Sequence, residues 1–218
     1  MRELILKMSM SLDGFVAGID GEMKWVFSGD QEAIAWSVKT VSDASLHIMG
    51  SRSFQNMAAF WQTSTLAFAP PMNQIPKAVF SRQGPAILKV AGVTKDTQPN
   101  GESAQSGEPQ PGAESWGEAY VAGGDLADEI ARLKSRDGKP IIAHGGATFA
   151  RSLIAQDLVD RYVLLVHPVV LGKGLPIFSD VAPQRRLGLV GSTAFPGGRD
   201  GADLSAGVAT SPSGSTRF

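Results

Sequence analysis

Apolar runs that alternate with helix-like segments constrain the fold of this chain more than any other feature of its sequence. Each run has the length of a β-strand, and the segments after most of them repeat apolar residues at helical spacing. The runs cover residues 3–10, 45–49, 77–81, 140–144, 161–171 and 187–195. Such alternation is typical of α/β domains, so we predict a largely parallel sheet with helices and with antiparallel edges near the end of the chain.

The composition excludes several classes of protein. The 218 residues suit one domain, and 20 Lys and Arg nearly balance 21 Asp and Glu. Because the basic residues are scattered, we expect no nucleic-acid partner and no membrane-surface partner, and no apolar run approaches the roughly 20 residues that span a bilayer. The absence of cysteine excludes disulfides and thiolate nucleophiles, and the three histidines lack the spacing of a metal site. We therefore expect a cytoplasmic protein that acts on a small molecule and holds no metal.

We predict one domain over residues 1–195, and two segments of the chain differ from the rest of it in composition. Residues 94–117 are rich in Gly, Pro, Ser, Gln and Glu. They bury too little apolar surface to offset the entropy lost on ordering, which predicts a mobile surface insertion. Residues 196–218 show no useful periodicity and predict an irregular tail that lacks a final strand. A sheet without that strand would expose an edge, so we expect a partner chain to cover it or the stability to be lower.

Adjacent glycines mark the point where the strand at 140–144 turns into a helix. Gly145 and Gly146 are followed by Ala147 and Thr148, which open the helical pattern. Glycines let backbone N–H groups approach a ligand closely, and a helix N-terminus adds partial positive charge, so a phosphate group fits this position. The alternative is a tight strand–helix turn in which the glycines only relieve steric conflict.

Two further strand ends carry groups that suit phosphate. A helix begins directly after the strand at 45–49, and the strand at 77–81 ends in a hydroxyl and a cation. The residues are Gly50, Ser51, Arg52 and Ser53 at the first, and Ser81 and Arg82 at the second. Arginine recognises phosphate through a planar fork of donors, and ligands of open α/β sheets lie at the carboxyl ends of strands. The alternative at the first position is a capping serine beside a solvated arginine.

Together these stretches resemble the dihydrofolate reductase fold, and most closely its branch that contains the C-terminal domain of the bifunctional riboflavin-biosynthesis deaminase-reductase. The resemblance covers about residues 3–195 apart from 94–117. The matching stretches are MSLDGFVAG (10–18), IMGSRSF (48–54), AVFSR (78–82), AHGGATFARSLI (143–154) and DLVDRYVLLVHPVVLGKGLPIF (157–178). The resemblance implies a three-layer α/β fold with a mixed, mostly parallel central sheet flanked by helices.

The same resemblance implies a reductase that uses NADPH and, as often in this branch, a homodimer. It places the pyrophosphate at Gly145–Thr148, the adenylate and pyrophosphate side at Ser51–Ser53 after Gly50, and the 2′-phosphate at Ser81 and Arg82. Val16 and Ala17 would lie near the nicotinamide. The family often has Gly-Arg-x-Thr after the second strand, whereas this chain has its arginine one position later. Which group meets the 2′-phosphate, and hence the preference for NADPH over NADH, therefore stays open.

The substrate side is expected between Trp25 and the helix that begins at Asp30. In dihydrofolate reductases a similar tryptophan precedes an acid that binds the pterin and assists its protonation, which makes Asp30 the candidate catalytic residue and Ile34 a substrate contact. A buried carboxylate there would have a raised pKa. Alternatively Asp30 caps the helix, and both roles are compatible; Glu32 is a weaker candidate.

Asp13 is a second substrate candidate, and its alternative role is an Asp-Gly turn after the first strand. The glycine-rich loop 14–29 can close over the nicotinamide and exclude water. We expect hydride transfer to a small heterocyclic or related unsaturated compound, pterin- or pyrimidine-like. The aminopyrimidinone reductase of riboflavin synthesis is the nearest alternative within the enzymes, and an NADP-binding protein without turnover is the alternative outside them.

Overall fold

Strands and helices alternate along the chain as the sequence predicted. The computed structural model describes residues 1–27, 29–89, 107–179, 181 and 184–207. Its strands are β1 (Leu4–Ser11), β2 (Phe15–Ala17), β3 (Leu46–Gly50), β4 (Lys77–Phe80), β5 (Tyr120–Ala122), β6 (Ile141–His144), β7 (Arg161–His167), β8 (Leu175–Pro176), β9 (Leu187–Ala194) and β10 (Asp200–Ala206). Its helices are α1 (Gln31–Ser42), α2 (Ser51–Trp61), α3 (Ala69–Gln74), α4 (Leu126–Lys134) and α5 (Ala147–Ala155).

Eight of these strands form one mixed sheet in the order β5-β4-β3-β6-β1-β7-β10-β9. The six strands from β5 to β7 are parallel to their neighbours. Strand β10 is antiparallel to both β7 and β9, which makes the end of the sheet antiparallel. The predicted fold class, a mostly parallel α/β sheet with antiparallel strands late in the chain, is therefore confirmed. Strands β2 and β8 form a separate antiparallel pair.

Side-chain alternation along β1 explains the three layers. Leu4 and Leu6 are fully buried in a cluster that includes residues of α4 and α5. Ile5 points to the opposite face, where it packs with Ala44 beyond the end of α1 and with Trp36 of α1. Strands covered on both faces are mostly apolar, and the central strands follow this rule although β1, β3, β4 and β6 each carry one basic side chain. Burying each large aliphatic side chain contributes about 1.5–3 kcal/mol to folding.

The tail predicted as irregular contains a strand, so that expectation was wrong for residues 200–206. Strand β10 pairs with β7 from Asp200 opposite Val166 to Ser205 opposite Arg161. A salt bridge between Arg161 and Asp203 fixes this register across the two strands. The sequence DGADLSA hides the strand because Asp, Gly and Ser are poor strand formers, and pairing on both sides overrides this weak propensity. Residues 208–218 lie outside the described part.

The segment predicted as a mobile insertion is ordered over its last residues. Residues 94–106 lie outside the described part, whereas Ala113–Trp116 form a 3₁₀ turn. The Trp116 side chain is 1% exposed and lies in a cluster with Phe54 of α2 and Met72 of α3. Its indole Nε1 donates to Asn73 Oδ1 at 2.8 Å. One aromatic residue thus anchors a polar segment, and the expectation of mobility is wrong for 107–117.

We predict that Trp116→Ala destabilises the protein by about 3–5 kcal/mol, because the change leaves a cavity in a core cluster. Urea unfolding followed by circular dichroism measures this loss. Trp116→Phe is the matched control: it keeps an aromatic ring beside Phe54, 5.5 Å away between centroids, and removes mainly the bond to Asn73. A loss below about 1 kcal/mol for Trp116→Ala, the range of surface changes, would contradict this packing.

Candidate functional site

Three predicted phosphate-binding turns meet at one edge of the sheet. Strands β4, β3 and β6 are adjacent and parallel, so Ser81, Gly50 and Gly145 follow strand ends that point the same way. A Cβ atom on Gly146 would lie 2.7 Å from Ser53 Oγ, which shows how closely the starts of α5 and α2 approach. The expectation that these turns share one edge is confirmed.

The two helices that begin at this edge lack side-chain caps. Gly50 and Gly146 hold the N-cap positions of α2 and α5, and no side chain accepts a bond from their first N–H groups among the described residues. By contrast, Asp30 caps α1 and Asp125 caps α4. Free N–H groups and the positive ends of two helix dipoles therefore lie side by side where an anion can meet both.

Gly146 must be glycine for two reasons. Its φ of +90° belongs to the region that other residues rarely adopt, and an added Cβ would crowd the Ser53 hydroxyl. A Cβ on Gly145 would come within 2.6 Å of the Met8 side chain. The steric interpretation of the glycines therefore holds, and the same bare backbone leaves the N–H groups of this turn without a side chain in front of them. The turns at 50–53 and 145–148 together form what we call the cradle.

The other predicted cofactor residues differ in exposure. Arg52, Arg82 and Thr148 are exposed at the same edge, whereas Ser81 is buried and its hydroxyl accepts a bond from Gln83 N at 3.1 Å. The capping-serine alternative at 51–53 is not observed, because Gly50 is the N-cap. Val16 and Ala17, predicted near the nicotinamide, are buried in β2.

Asp30 caps α1 and also forms a buried ion pair. Its Oδ1 accepts from Ala33 N at 3.1 Å, and its Oδ2 accepts from Gly197 N at 3.0 Å and from Arg199 Nη1 at 3.2 Å. The bond from Ala33 N is the main cause that lowers the pKa of Asp30, and Gly197 and Arg199 add to it against the effect of burial. The capping role is confirmed, and the expected rise in pKa was wrong because the chain itself occupies both oxygens.

Asp13 joins two loops at the carboxyl ends of β1 and β7. Its carboxylate accepts bonds from Leu171 N at 3.2 Å and from Gly172 N at 2.7 Å, besides one from the Ser11 hydroxyl at 2.6 Å. The bond from Ser11 is the main reason that the pKa of Asp13 is lowered. The predicted Asp-Gly turn is present, since Gly14 N bonds Ser11 O at 3.0 Å with φ +86° at Gly14.

Trp25 lies against His167 at the carboxyl end of β7. The two rings meet edge to face, 5.2 Å apart between centroids. Ile34, the other predicted substrate contact, is half-buried one turn after the start of α1. The start of α1, Trp25 and the end of β7 therefore enclose a region beside the cradle, two strands away from β6.

A family model described as "RibD C-terminal domain" matches residues 2–199. The chain belongs to this family. The uncharacterized protein YyaP of Bacillus subtilis (strain 168) is 27% identical over 197 residues, which cover 90% of this chain and 91% of YyaP. YwjB of the same organism is 37% identical over 65 residues, 30% of this chain and 37% of YwjB.

Solved structures of similar fold agree with the RibD assignment. A putative riboflavin biosynthesis protein from Shewanella sp. PV-4 has a TM-score of 0.61 at 17% identity, covering 94% of this chain and 99% of that one. The Thermotoga maritima diaminohydroxyphosphoribosylaminopyrimidine deaminase/5-amino-6-(5-phosphoribosylamino)uracil reductase has a TM-score of 0.62 at 17% identity, over 94% of this chain and 56% of that one. The predicted resemblance to the dihydrofolate reductase-like riboflavin branch is thus confirmed.

This RibD-type domain carries a row of buried bases that the sequence did not reveal as a group. Lys7 of β1 is paired in register with His144 of β6, and His47 of β3 with Lys77 of β4. The rings of His47 and His144 are 4.5 Å apart between centroids. Burial lowers the pKa of Lys7 to about 8 and, opposed by Glu114, that of Lys77 to about 7. A lysine inside the apolar strand LILKMSMS was the only sequence signal for this row.

All three histidines are buried in the sheet layer, as expected of core residues. Burial is the main cause that lowers the pKa of His47 and His167 to about 4, and the pKa of His144 falls well below its ordinary value for the same reason. No group of three potential metal ligands occurs among the described residues, nor does any helix there have the length and apolarity to cross a membrane. The histidines of this RibD-type domain are therefore neutral at pH 7.

We predict that no histidine of the folded protein titrates between pH 5.5 and pH 8, a window placed about the ordinary pKa of roughly 6.5. The unfolded chain binds protons from about pH 6.5 downward, whereas the folded chain resists them to about pH 4. The free energy of unfolding therefore falls as the pH is lowered through this interval. NMR of the histidine ring protons and urea unfolding at several pH values measure both effects. A ring signal with a midpoint near pH 6.5 would contradict this burial.

Proposed function

We propose that the chain is an NADPH-dependent reductase that delivers hydride to a small heterocyclic or related unsaturated substrate, pterin- or pyrimidine-like. One observation carries this proposal: two uncapped helix N-termini lie side by side at the carboxyl edge of the sheet, with exposed Arg52 and Arg82 beside them. Membership of the RibD C-terminal domain family supports a reductase. The Thermotoga protein, of which this chain spans 56%, is a 5-amino-6-(5-phosphoribosylamino)uracil reductase by name.

The residues of the cradle suit the parts of NADPH. Backbone N–H groups at 146–148 and 51–53 would hold the pyrophosphate, since no side chain caps either helix start in the described part of the chain. Arg52 and Arg82 offer planar donor forks for the 2′-phosphate. The bound cofactor supplies the hydride, and the domain positions it and excludes water.

The substrate side needs a proton, and Lys7 is better placed than Asp30 to hold it. Lys7 Nζ lies between β1 and α1, where it donates to Ser37 Oγ at 3.1 Å and lies 5.5 Å from the centre of the Trp36 ring. With its pKa lowered to about 8 by burial, the ammonium is charged at pH 7 and gives up its proton more easily than an exposed lysine. In this proposal Asp30 is a positioning residue that fixes the start of α1.

An NADP-binding protein of the same fold without turnover remains a second candidate. The observation that favours it is the loss of the expected acid: both oxygens of Asp30 are bonded within the chain. The two candidates separate in one assay. NADPH that raises the melting temperature but is not oxidised with any pterin, pyrimidine or folate favours the binding protein.

We predict that one of Arg52→Gln and Arg82→Gln removes the preference for NADPH over NADH. Loss of a charge-assisted contact to the 2′-phosphate costs about 1.5–3 kcal/mol, or about 10- to 100-fold in the dissociation constant for NADPH, and leaves NADH binding nearly unchanged. Isothermal titration calorimetry with both cofactors measures this. Arg136→Gln, at an exposed site between α4 and β6, is the control. Failure of the wild type to bind either cofactor at millimolar concentration would overturn the function.

The same calorimetry tests the cradle through Gly146→Ala, which adds a Cβ where the pyrophosphate is expected. Gly207→Ala is the matched control, since Gly207 has a similar φ of +85° but no atom within 4 Å of an added Cβ. Both changes strain the backbone, but only Gly146→Ala places its methyl group in the cradle. Only that change is therefore expected to weaken the binding of NADPH and NADH alike. Equal losses for the two variants would show that strain alone accounts for the effect.

We also propose that two copies of the chain pair through β9. This strand pairs only with β10 among the described residues, and its Leu189 and Val190 are 69% and 55% exposed. An unpaired edge with apolar side chains favours strand addition by another chain. We predict that light scattering finds a dimer for the wild type and for the control Leu66→Lys, and a monomer for Leu189→Lys/Val190→Lys. A monomeric wild type would contradict this pairing.

A further inference from the structure

Four buried nitrogen atoms around the end of β7 lack hydrogen-bond partners among the described residues. They are both ring nitrogens of His167, the indole Nε1 of Trp25 and the guanidinium Nε of Arg199. His167 is only 2% exposed. An unpaired polar atom that is buried costs about 1–3 kcal/mol, so three neighbouring side chains with this cost call for a partner outside the chain.

The three side chains converge on one place. The Trp25 ring meets the His167 ring at 5.2 Å and 83°, and Arg199 and His167 adjoin the paired residues Asp200 and Val166. Arg199 immediately precedes β10 in the hairpin that β10 forms with β9. Its ion pair with Asp30 connects this hairpin to the start of α1. These three side chains are therefore neighbours at the carboxyl end of β7.

Asp30 orients Arg199 and leaves one side of its guanidinium unused. Nη1 donates to Asp30 Oδ2 and to Gly197 O, both at 3.2 Å, while Nε has no partner in the described part of the chain. The ion pair is buried, with 11% of the arginine side chain and 6% of the aspartate side chain exposed. A guanidinium fixed by one carboxylate can receive a second oxyanion on its Nε side with little loss of side-chain entropy.

The charges near this region favour an anion. The charged groups that act on His167 are Arg199 and Lys7, both cations. Asp30 is paired with Arg199, and the exposed Glu32 lines, together with both of them, an open cavity of about 480 Å³. The region lies two strands from the cradle at β6, about 10 Å at the usual strand spacing.

From this geometry we infer that Arg199, His167 and Trp25 form a subsite for a carboxylate or phosphate group of the substrate. The oxyanion would accept hydrogen bonds from Arg199 Nε, from one His167 ring nitrogen and from Trp25 Nε1, which are donors that the chain leaves unused. The inference deepens the proposed reductase function and rests on it for the identity of the ligand as substrate.

The test uses His167→Phe, which removes two unpaired buried nitrogens and keeps a planar ring. The variant is expected to raise the melting temperature without ligand, because the unpaired atoms no longer cost stability. The dissociation constant of the oxyanion is expected to rise about 10- to 100-fold, the loss of a hydrogen bond to a charged group. A histidine with a purely structural role would leave the anion affinity unchanged. Should the larger ring unfold the protein, His167→Leu provides the same comparison.

The probes are sodium acetate for the carboxylate and inorganic phosphate for the phosphate, each titrated with NADP⁺ present to occupy the cradle. We expect one of them to shift the ring signals of His167 in a saturable way, with His47 and His144 as internal controls. Arg199→Gln should abolish the shift and Arg136→Gln should not. Saturation by acetate alone assigns a carboxylate and by phosphate alone a phosphate; no saturable shift with either overturns the subsite.

Failure of the subsite and failure of the reductase are distinguishable. Binding of NADPH without any effect of anions on His167 overturns the subsite and leaves the reductase in place. A saturable His167 shift in a protein that does not bind NADPH supports the subsite and overturns the reductase. The anion titration is then repeated without nucleotide, and loss of the shift in His167→Phe and Arg199→Gln locates the binding.

Discussion

The parallel pairing of six neighbouring strands determines almost everything else about the molecule. Because parallel strands need a crossover after each strand, every turn from a strand into a helix falls at the same edge. The turns after β3, β4 and β6 are therefore brought together although they are far apart in sequence. The edge gathers the positive ends of α2 and α5, and the function we propose uses this electrostatic consequence of topology.

The face of the sheet below α1 carries a row of four basic side chains that lower the stability of the fold. Lys7, His47, Lys77 and His144 occupy neighbouring central strands where apolar residues would be more stable. None of the four has a carboxylate as a hydrogen-bond partner in the described part of the chain; Lys77 instead bonds Asn73 O and the Ser115 hydroxyl. The fold tolerates these four buried or half-buried basic side chains because the surrounding clusters of buried apolar side chains are much larger.

Much of the fold and of the cradle was predictable from sequence because both depend on local signals. Gly145 and Gly146 between an apolar run and a helical pattern indicated the turn, and strand–helix alternation indicated the parallel sheet. The rest depended on contacts distant in sequence. No residue near Asp30 in the sequence indicates that it contacts Arg199, 169 positions later. The hydrogen bond from Arg199 is one of those that lower the pKa of Asp30 instead of letting it rise. Strand β10 and buried Trp116 were missed for the same reason, since partners remote in the chain override weak local propensity.

One hairpin carries both the exposed edge of the sheet and the arginine that faces Asp30. Strands β9 and β10 are paired from Leu187 to Ala206, and Arg199 immediately precedes β10 at their connection. A chain that pairs with β9 would therefore bind the same hairpin that positions the Arg199 guanidinium. By reciprocity, a ligand that displaces the guanidinium would also change the affinity of β9 for that chain. In the dimer and the subsite that we propose, assembly and recognition would be linked through this one hairpin.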